Sequence, residues 1–277
     1  MSQASSSNNN QYDIISAIAG GTCGDVMKGR NIQTGKIVAM KKIKQLHENE
    51  GMPKSALDEI HFLRKLAESD THNNIIRMDD VYIDSNSNVY LVLEYCDYDL
   101  QGLLSHREPL TLIQVKCYFR QLLQALKICH DNKLIHRDLK PANILLTQDN
   151  VVKLCDFGLA RKLPDIHKRP QTTKVITIWY RPPELLLGTD HYGTEIDIWS
   201  AGCILYEMIT KNVLFQSTYD NEVDEITTIL RVHGIPTDEE WTTWKSLPQA
   251  SLISNFQSMQ NQIAFEDYLK RQIRPEF

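Results

Sequence analysis

The pattern of hydrophobic and polar positions predicts strands in the first part of the chain. Strand-like alternation begins at Tyr12, and two β-rich runs flank the glycine-bearing segment from Ile18 to Val26. A third alternating run begins at Val89 and turns polar towards Leu104. Because alternation with a period of two is typical of strands that bury one face, we expect a β-rich region here.

Two stretches have the three- and four-residue spacing of helices. The first lies between Glu50 and Leu66, and Pro53 suits its first turn. The second precedes His136, and its amphipathic pattern predicts a buried helix. The apolar positions that carry these predictions are Ala56, Ile60, Leu63 and Leu66 in the first helix and Val115, Phe119, Leu122, Leu126 and Cys129 in the second.

Composition narrows the class of protein. The 277 residues are 42% hydrophobic, which suits one large globular unit or two packed lobes. The net charge of −5 argues against broad nucleic-acid binding, and no apolar run approaches the roughly eighteen residues of a membrane span. The six cysteines form no C-x-x-C pair, which favours reduced core thiols. Residues 1–11 are polar and low in complexity, which predicts a disordered tail.

Candidate chemistry is concentrated between His136 and Arg161. The stretch HRDLKPANILL begins at His136, and CDFGLAR ends at Arg161. Phosphoryl transfer from Mg·ATP needs a carboxylate that orients the attacking hydroxyl, a cation for the moving phosphoryl group and oxygen ligands for magnesium. The side chains that supply this set are Asp138, Lys140, Asn143 and Asp156.

The order H-R-D-L-K-x-x-N followed by D-F-G resembles the signature of protein kinases. The resemblance implies an α+β, bilobal fold with an ATP cleft between the lobes. A small β-rich lobe with one signature helix would span residues 12–95, and a mainly helical lobe would span residues 96–277. ATP and Mg²⁺ are the implied cofactors.

The resemblance also assigns catalytic and metal-binding roles. One carboxylate would orient or deprotonate the attacking hydroxyl, and a lysine–glutamate pair would hold the phosphates. Oxygen ligands suit Mg²⁺, whereas a Zn²⁺ site would want a cluster of His or Cys side chains. The residues given these roles are Asp138, Lys140, Lys41, Glu59 and Thr177 for catalysis, and Asn143 and Asp156 for Mg²⁺.

The nucleotide site would combine a glycine-rich segment, the segment between the lobes and the catalytic loop. Ala19 stands where the kinase pattern has its first glycine, and we expect its methyl to weaken ATP binding only modestly. Cys155 is interpreted as a small apolar filler, with a reactive thiol as the alternative. The nucleotide-binding residues implied are Ile18, Ala19, Gly20, Gly21, Thr22, Cys23, Gly24, Val26, Ala39, Lys41, Leu93, Glu94, Cys96, Asp99, Lys140, Ala142, Asn143, Leu145 and Asp156.

Two further segments narrow the resemblance to cyclin-dependent kinases. PKSALDE, from Pro53 to Glu59, is similar to the P-x-x-A-[IL]-R-E helix on which a cyclin docks, and ITIWYRPPELLLG resembles the end of an activation segment. The resemblance implies phosphorylation by an activating kinase and a pocket that selects proline after the target Ser or Thr. The implied regulatory residues are Thr172, Arg137, Arg161 and Thr22, and the implied pocket is Val175, Ile176 and Arg181.

The local sequences RPPELLLG and LEYCDYDLQGLL are most similar to those of the transcriptional branch of that family. Those kinases phosphorylate the repeated tail of RNA polymerase II. The resemblance therefore implies a nuclear protein, with the cytoplasm as a second location. Its implied partners are a cyclin, a substrate with Ser/Thr-Pro sites and the activating kinase, without direct nucleic-acid or membrane binding.

Three departures from the family pattern affect these expectations. Asp58 stands where the family has an arginine that helps to bind the phosphate of Thr172, so the helix is expected to be uncoupled from that phosphate or to move away. The family's final helices, one of which pairs an arginine with the position of Glu184, have no match here, so the large lobe is expected to be truncated. Cys23 replaces a tyrosine whose phosphorylation inhibits some relatives.

The sequence leaves three functions open. The leading interpretation is an active, cyclin-activated, proline-directed Ser/Thr kinase. A weak or inactive kinase-like binding module that sequesters a cyclin or a substrate is favoured by Ala19, by Asp58 and by the short end of the chain. A small-molecule kinase on the same fold is the third, but it would have no evident use for the segment W-Y-R-P-P-E.

Overall fold

The structure is a computed structural model that describes residues 11–21, 24–44, 52–163, 176–219, 221–256 and 265–273. Within these residues, a β-sheet with one helix precedes a mainly helical part. The expected α+β, bilobal organisation is therefore confirmed.

The small lobe is built on a five-stranded antiparallel sheet with the strand order β1-β2-β3-β5-β4. The strands are β1 (Tyr12–Gly21), β2 (Gly24–Asn31), β3 (Ile37–Lys42), β4 (Met78–Ile83) and β5 (Val89–Glu94). One face buries a cluster formed by Tyr12, Val38, Met40, Tyr90 and Val92. A Cβ on Gly29 would come within 2.5 Å of the Met40 sulfur, so any larger residue there would force the buried Met40 side chain to shift.

Helix α1 (Lys54–Ser69) packs on the opposite face of the sheet, with the alternate residues of β5. Pro53 is the N-cap residue with φ of −55°, so it directly precedes the first turn that the sequence assigned to it. The helix buries Ala56, Glu59, Phe62, Leu63 and Leu66, while Ile60 is partly buried. A carboxylate thus lies on the buried face of the helix, where apolar periodicity alone would not place it.

Helices build most of the large lobe. They are α2 (Leu100–Ser105), α3 (Leu112–Asp131), α4 (Pro183–Leu186), α5 (Glu195–Thr210), α6 (Glu222–His233), α7 (Ser251–Phe256) and α8 (Phe265–Gln272). α3 begins with a capping box in which Thr111 and Gln114 exchange hydrogen bonds. Its predicted inner positions are buried except for Phe119, which is partly exposed. In the part of the chain that the structure describes, no helix has the length and apolar character needed to cross a bilayer.

Short strands anchor the loops that carry the candidate chemistry. They are β6 (Tyr98–Asp99), β7 (Leu134–Ile135), β8 (Ile144–Leu146), β9 (Val152–Leu154) and β10 (Arg161–Lys162). β6, β8 and β9 form one sheet, and β7 pairs with β10. β7 runs directly into His136 and β9 runs directly into Cys155. The segment between β5 and β6 includes the lobe boundary expected at residues 95 and 96.

Candidate active site

The side chain of Lys41 on β3 lies between two carboxylates from different parts of the chain. Its Nζ donates to Glu59 Oε1 at 2.8 Å and Oε2 at 3.0 Å, and to Asp156 Oδ1 at 2.9 Å. Burial opposes the charge of the lysine, but the two carboxylates outweigh burial and raise the pKa of Lys41 above its ordinary value. The ammonium group is therefore fixed and charged at neutral pH, as an anchor for phosphate must be.

The loop after β7 brings Asp138, Lys140 and Asn143 into contact. Lys140 Nζ donates to Asp138 Oδ2 at 2.8 Å. The side-chain amide of Asn143 donates to the same oxygen at 2.9 Å and to the Asp138 carbonyl at 2.7 Å. Asp138 is only 3% exposed. Its carboxylate is therefore oriented by the protein itself, without help from a substrate.

Asp197 on α5 holds the backbone of this loop. It is fully buried and accepts the backbone N–H groups of His136 and Arg137, each at 3.0 Å. His130 Nε2 lies 2.8 Å from the same carboxylate. Arg137 has a left-handed φ of 67°, which is a strained conformation for a residue with a side chain. The bonds to Asp197 stabilise that turn.

The loop after β7, called the catalytic loop from here on, and the D-F-G segment are joined through His136. Its Nε2 lies 2.9 Å from the Cys155 carbonyl oxygen, and its ring packs edge-to-face on Phe157 with 5.0 Å between the centroids. Asp156 lies between these two contacts and has a left-handed φ of 64°. This conformation accompanies the contact of its carboxylate with Lys41, so both motifs belong to one connected site.

The donors in this site fit Mg²⁺. Protein sites hold Mg²⁺ through one or two carboxylates or similar oxygens, and water and phosphates supply the remaining ligands. Asn143 and Asp156 offer an amide oxygen and a carboxylate, and the hydrogen bonds from Asn143 Nδ2 fix the orientation of that amide. Among the described residues, no group of three or more His, Cys, Asp or Glu could hold a metal on its own. The Mg²⁺ role of the two residues stays a prediction.

The chain matches the family model of the protein kinase domain over residues 12–271. The chain belongs to the protein kinase family. It is 42% identical to CTD kinase subunit alpha of Saccharomyces cerevisiae over 238 residues, which is 86% of this chain and 44% of that protein. It is 39% identical to cyclin-dependent kinase G-1 of Oryza sativa subsp. indica over 244 residues, which is 87% of this chain and 34% of that protein.

A comparison with a solved structure also points to this family. A chain in the crystal structure of the yeast RNA Pol II CTD kinase CTDK-1 complex matches with a TM-score of 0.83 and 38% identity, covering 99% of this chain and 84% of that one. The expected resemblance to cyclin-dependent kinases of the transcriptional type is therefore confirmed. The chain spans less than half the length of the two curated relatives.

In this kinase domain, the segment between the lobes has contacts that limit how adenine could bind. Glu94 donates its backbone N–H to the Arg77 carbonyl at 2.9 Å, so an adenine contact of Glu94 would use its carbonyl. Leu93 is 9% exposed and lies opposite Ala39 in the β3–β5 ladder. Asp99 caps α2 by accepting a backbone N–H at 2.7 Å, a contact that the sequence did not predict. The adenine and ribose roles stay predictions.

The glycine-rich segment forms the end of the β1–β2 hairpin, where Gly21 lies opposite Gly24. Thr22 and Cys23 lie outside the described residues. Ala19 lies opposite Val26 in the β1–β2 ladder. The modest effect that is expected of its methyl on ATP binding stays a prediction.

Cys96 and Cys155, which lie at the candidate nucleotide site, are neutral thiols at physiological pH. Burial raises the pKa of Cys96 to about 12, and burial raises the pKa of Cys155 well above its usual range. Because the thiolate is the reactive form, the interpretation of Cys155 as an apolar filler is favoured over a reactive thiol. Among the other side chains expected to contact the nucleotide, Ile18 is 48% exposed. Partly exposed ones include Val26, Ala39, Ala142 and Leu145.

The activation segment is described only in part, and Thr172 and Val175 lie outside the described residues. Arg137 donates through Nε to the Leu159 carbonyl at 2.7 Å and through Nη1 to the Tyr192 hydroxyl at 2.8 Å. Burial lowers the pKa of Arg137, and the nearby cation Arg161 acts in the same direction. Two arginines that lie close together suit the binding of an anion. Their role in binding the phosphate of Thr172 stays a prediction.

The position of α1 bears on one expectation about Asp58. Displacement of this helix was one of the two consequences expected of a carboxylate at that position. Glu59, the next residue, makes the ion pair with Lys41. The expected displacement concerns a phosphate on Thr172, which lies outside the described residues, so it stays a prediction. Asp58 itself is partly exposed.

The predicted substrate pocket contains an unusual backbone. Ile176 has a left-handed φ of 69° although it is β-branched, and its carbonyl accepts a hydrogen bond from Arg181 Nη2 at 3.0 Å. Arg181 Nη1 also donates to Glu222 Oε1 at 3.2 Å. Thr177 follows as the N-cap of the 3-10 turn Ile178–Tyr180, and its bridge to Asp138 stays a prediction.

Sequence reasoning missed a buried ion pair beside the nucleotide site. Lys153 on β9 is 1% exposed and donates to Glu94 Oε1 at 2.8 Å and to Asn73 Oδ1 at 2.6 Å. A lysine within an apolar strand ordinarily indicates a solvated face. Its two partners lie in distant segments of the chain, so no local pattern could have found this contact.

Proposed function

We propose that this chain is a protein serine/threonine kinase that transfers the γ-phosphoryl group of Mg·ATP to Ser/Thr-Pro sites. The observation that carries the proposal is the connected set of contacts in which Lys41 binds both Glu59 and Asp156. Phosphoryl transfer depends on positioning and on charge stabilisation rather than on covalent chemistry by the enzyme. The contacts of Lys41 hold the two lobes in a geometry that supplies both.

The catalytic loop would carry the transfer itself. Asp138 would orient the substrate hydroxyl and accept its proton as the oxygen bonds to the γ-phosphorus and the bond to the β–γ bridging oxygen breaks. Lys140, 2.8 Å from Asp138, would offset negative charge on the transferred group. Mg²⁺, held by Asn143 and Asp156, supplies electrostatic stabilisation of the phosphate oxygens when bound.

Selection of proline is supported by the contact between Arg181 and Ile176. Since the Ile176 carbonyl already accepts from the guanidinium, the N–H of a substrate residue after the target Ser or Thr would lose an acceptor there. An unpaired buried N–H costs about 1–3 kcal/mol. Proline has no N–H, so it would avoid this cost.

The substrate and the partners are inferred from the relatives and from the surface of α1. Relatives named as CTD kinases support the RNA polymerase II C-terminal repeat as substrate and the nucleus as location, with the cytoplasm as a second one. α1 exposes the apolar side chain of Leu57 by 52%, which supports the docking of a cyclin on the Pro53–Glu59 region. An activating kinase would phosphorylate Thr172.

A transfer assay tests the proposed activity. The purified chain is incubated with labelled ATP, Mg²⁺ and a Ser-Pro-rich peptide, with and without each member of a panel of cyclins. We expect transfer that depends on a cyclin, and a loss of at least about 100-fold in Asp138→Asn because the orienting carboxylate is gone.

The same assay distinguishes the kinase from a binding module. Cyclin binding, measured by pull-down, without phosphoryl transfer under any condition would contradict the proposed activity and support a module that sequesters its partners. The contacts of Lys41, Glu59 and Asp156 favour the enzyme, because a binding module has no need of them.

A further inference from the structure

The guanidinium of Arg181 must be held in place if it is to keep its hydrogen bond to the Ile176 carbonyl. An arginine side chain has several rotatable bonds, and fixing it costs about 2 kcal/mol of rotamer entropy. Arg181 is nevertheless 9% exposed, with Nη2 on the carbonyl at 3.0 Å and Nη1 on Glu222 Oε1 at 3.2 Å. One nitrogen of the guanidinium thus binds the backbone of the predicted substrate pocket, and the other binds a side chain of α6.

The start of α6 fixes the position of Glu222. Asn221 is the N-cap, and its side chain accepts the backbone N–H of Asp224 at 2.9 Å. Glu222 is therefore the first helical residue, and its backbone is set by the cap rather than by a mobile loop. Its side chain is 27% exposed, so the residue can be changed without opening the core.

Since this inference rests on the proposed function, it concerns how that function distinguishes its substrates. We propose that Glu222 is a positioning residue for substrate specificity. It keeps Arg181 hydrogen-bonded to the Ile176 carbonyl. A non-proline residue after the phosphorylated Ser or Thr would then find no free acceptor there for its backbone N–H. Without Glu222, Arg181 leaves the carbonyl for part of the time, and a non-proline residue then gains an acceptor.

The test compares two peptides that differ only in having proline or alanine after the target serine. For Glu222→Ala we expect the ratio of kcat/KM for the Ser-Pro peptide to that for the Ser-Ala peptide to fall about tenfold, the effect of one hydrogen bond. The change comes from faster reaction of the Ser-Ala peptide, while the Ser-Pro peptide and the KM for ATP stay within about twofold. Glu222→Gln, which keeps an oxygen acceptor for Arg181, should retain part of the preference.

Glu239→Ala is the matched control, because Glu239 is an exposed glutamate in the segment that follows α6. It should leave the ratio unchanged. An unchanged ratio in Glu222→Ala, or an equal loss of rate for both peptides, would overturn the proposal, since the second result is what a merely structural role would give.

Peptide binding gives a readout that does not need phosphoryl transfer. Fluorescence anisotropy with the same two labelled peptides should show a proline preference in the wild-type chain and a smaller one in Glu222→Ala. If the wild-type chain shows the preference in binding but transfers nothing, the proposed catalytic function fails while the role of Glu222 is still decided by the variant. An equal binding preference in both proteins would refute that role.

Discussion

Single charged residues in this chain differ in how their charge is balanced. Lys41 has two carboxylates within 3.0 Å, and the guanidinium of Arg181 has Glu222 at 3.2 Å. Asp58 is different, because it places a negative charge on the helix that the family uses to help bind a phosphate. The first two residues serve contacts that are already formed, whereas the effect proposed for Asp58 would depend on phosphorylation of Thr172.

Replacing Asp58 by arginine tests that dependence. We expect Asp58→Arg to increase the activation that follows phosphorylation of Thr172 by about threefold or more, because attraction to the phosphate replaces repulsion. The measurement is kcat/KM with and without prior treatment by an activating kinase. Glu68→Arg, at the exposed far end of α1, makes the same charge change and should have no such effect. Equal activation of Asp58→Arg and the wild-type chain would count against this reading.

At the scale of elements, β9 and β5 are tied together by Lys153. Its ammonium is buried and reaches Glu94 at the end of β5 and Asn73 in the α1–β4 connection. β9 leads into Asp156, and β5 leads into the segment expected to bind adenine. One side chain therefore links the strand before the D-F-G segment to the segment between the lobes.

Replacing Lys153 tests how much this buried ion pair contributes to stability. We expect Lys153→Met to lower the free energy of unfolding by about 3 kcal/mol, because Glu94 keeps a mostly buried carboxylate without its partner. The double variant Lys153→Met with Glu94→Gln should recover at least half of that loss. Urea unfolding measures both. Lys127→Met removes an exposed pair with Asp131 and should cost less than about 1 kcal/mol; an equal cost for Lys153→Met would show that the buried pair is unimportant.

At the scale of the whole molecule, burial in the large lobe raises the pKa of two carboxylates, Glu184 and Glu225. Glu184 lines a mainly apolar cavity of about 650 Å³ between α5, α6 and α8. Burial, helped by the nearby Glu195, raises the pKa of Glu184 to about 7. Burial also raises the pKa of Glu225 to about 7. Among the described residues, no cation contributes to the pKa of Glu184.

These raised pKa values predict how stability depends on pH. Between pH 4.5 and about 7, the folded state keeps a proton on Glu184 that the unfolded state has already lost. Stability should therefore fall as pH rises through this window and level off above it. Glu184→Gln should be more stable than the wild-type chain at pH 8 by about 1–3 kcal/mol and nearly equal to it at pH 5. Urea unfolding at both pH values is the measurement, with the exposed Glu239→Gln as control; a pH-independent difference would contradict the assignment.

The sequence by itself determined the family, the fold and most of the candidate site. Two motifs of fixed spacing, H-R-D-L-K-x-x-N and D-F-G, carry side chains whose chemistry is specific enough to identify phosphoryl transfer. The pairing of Lys41 with Glu59 was also expected, and the structure places the two in contact. Local patterns worked here because each motif is a short continuous segment with its own backbone geometry.

Only the tertiary structure decided the contacts that support those motifs. Lys153 and Glu94 meet across 59 residues, and Arg181 meets Glu222 across 41 residues. The left-handed backbone of Ile176 runs against the preference of a β-branched residue, so no local propensity could indicate it. Long-range contacts and strained backbone angles are set by the packing of distant elements, and that packing is not written in the spacing of any one segment.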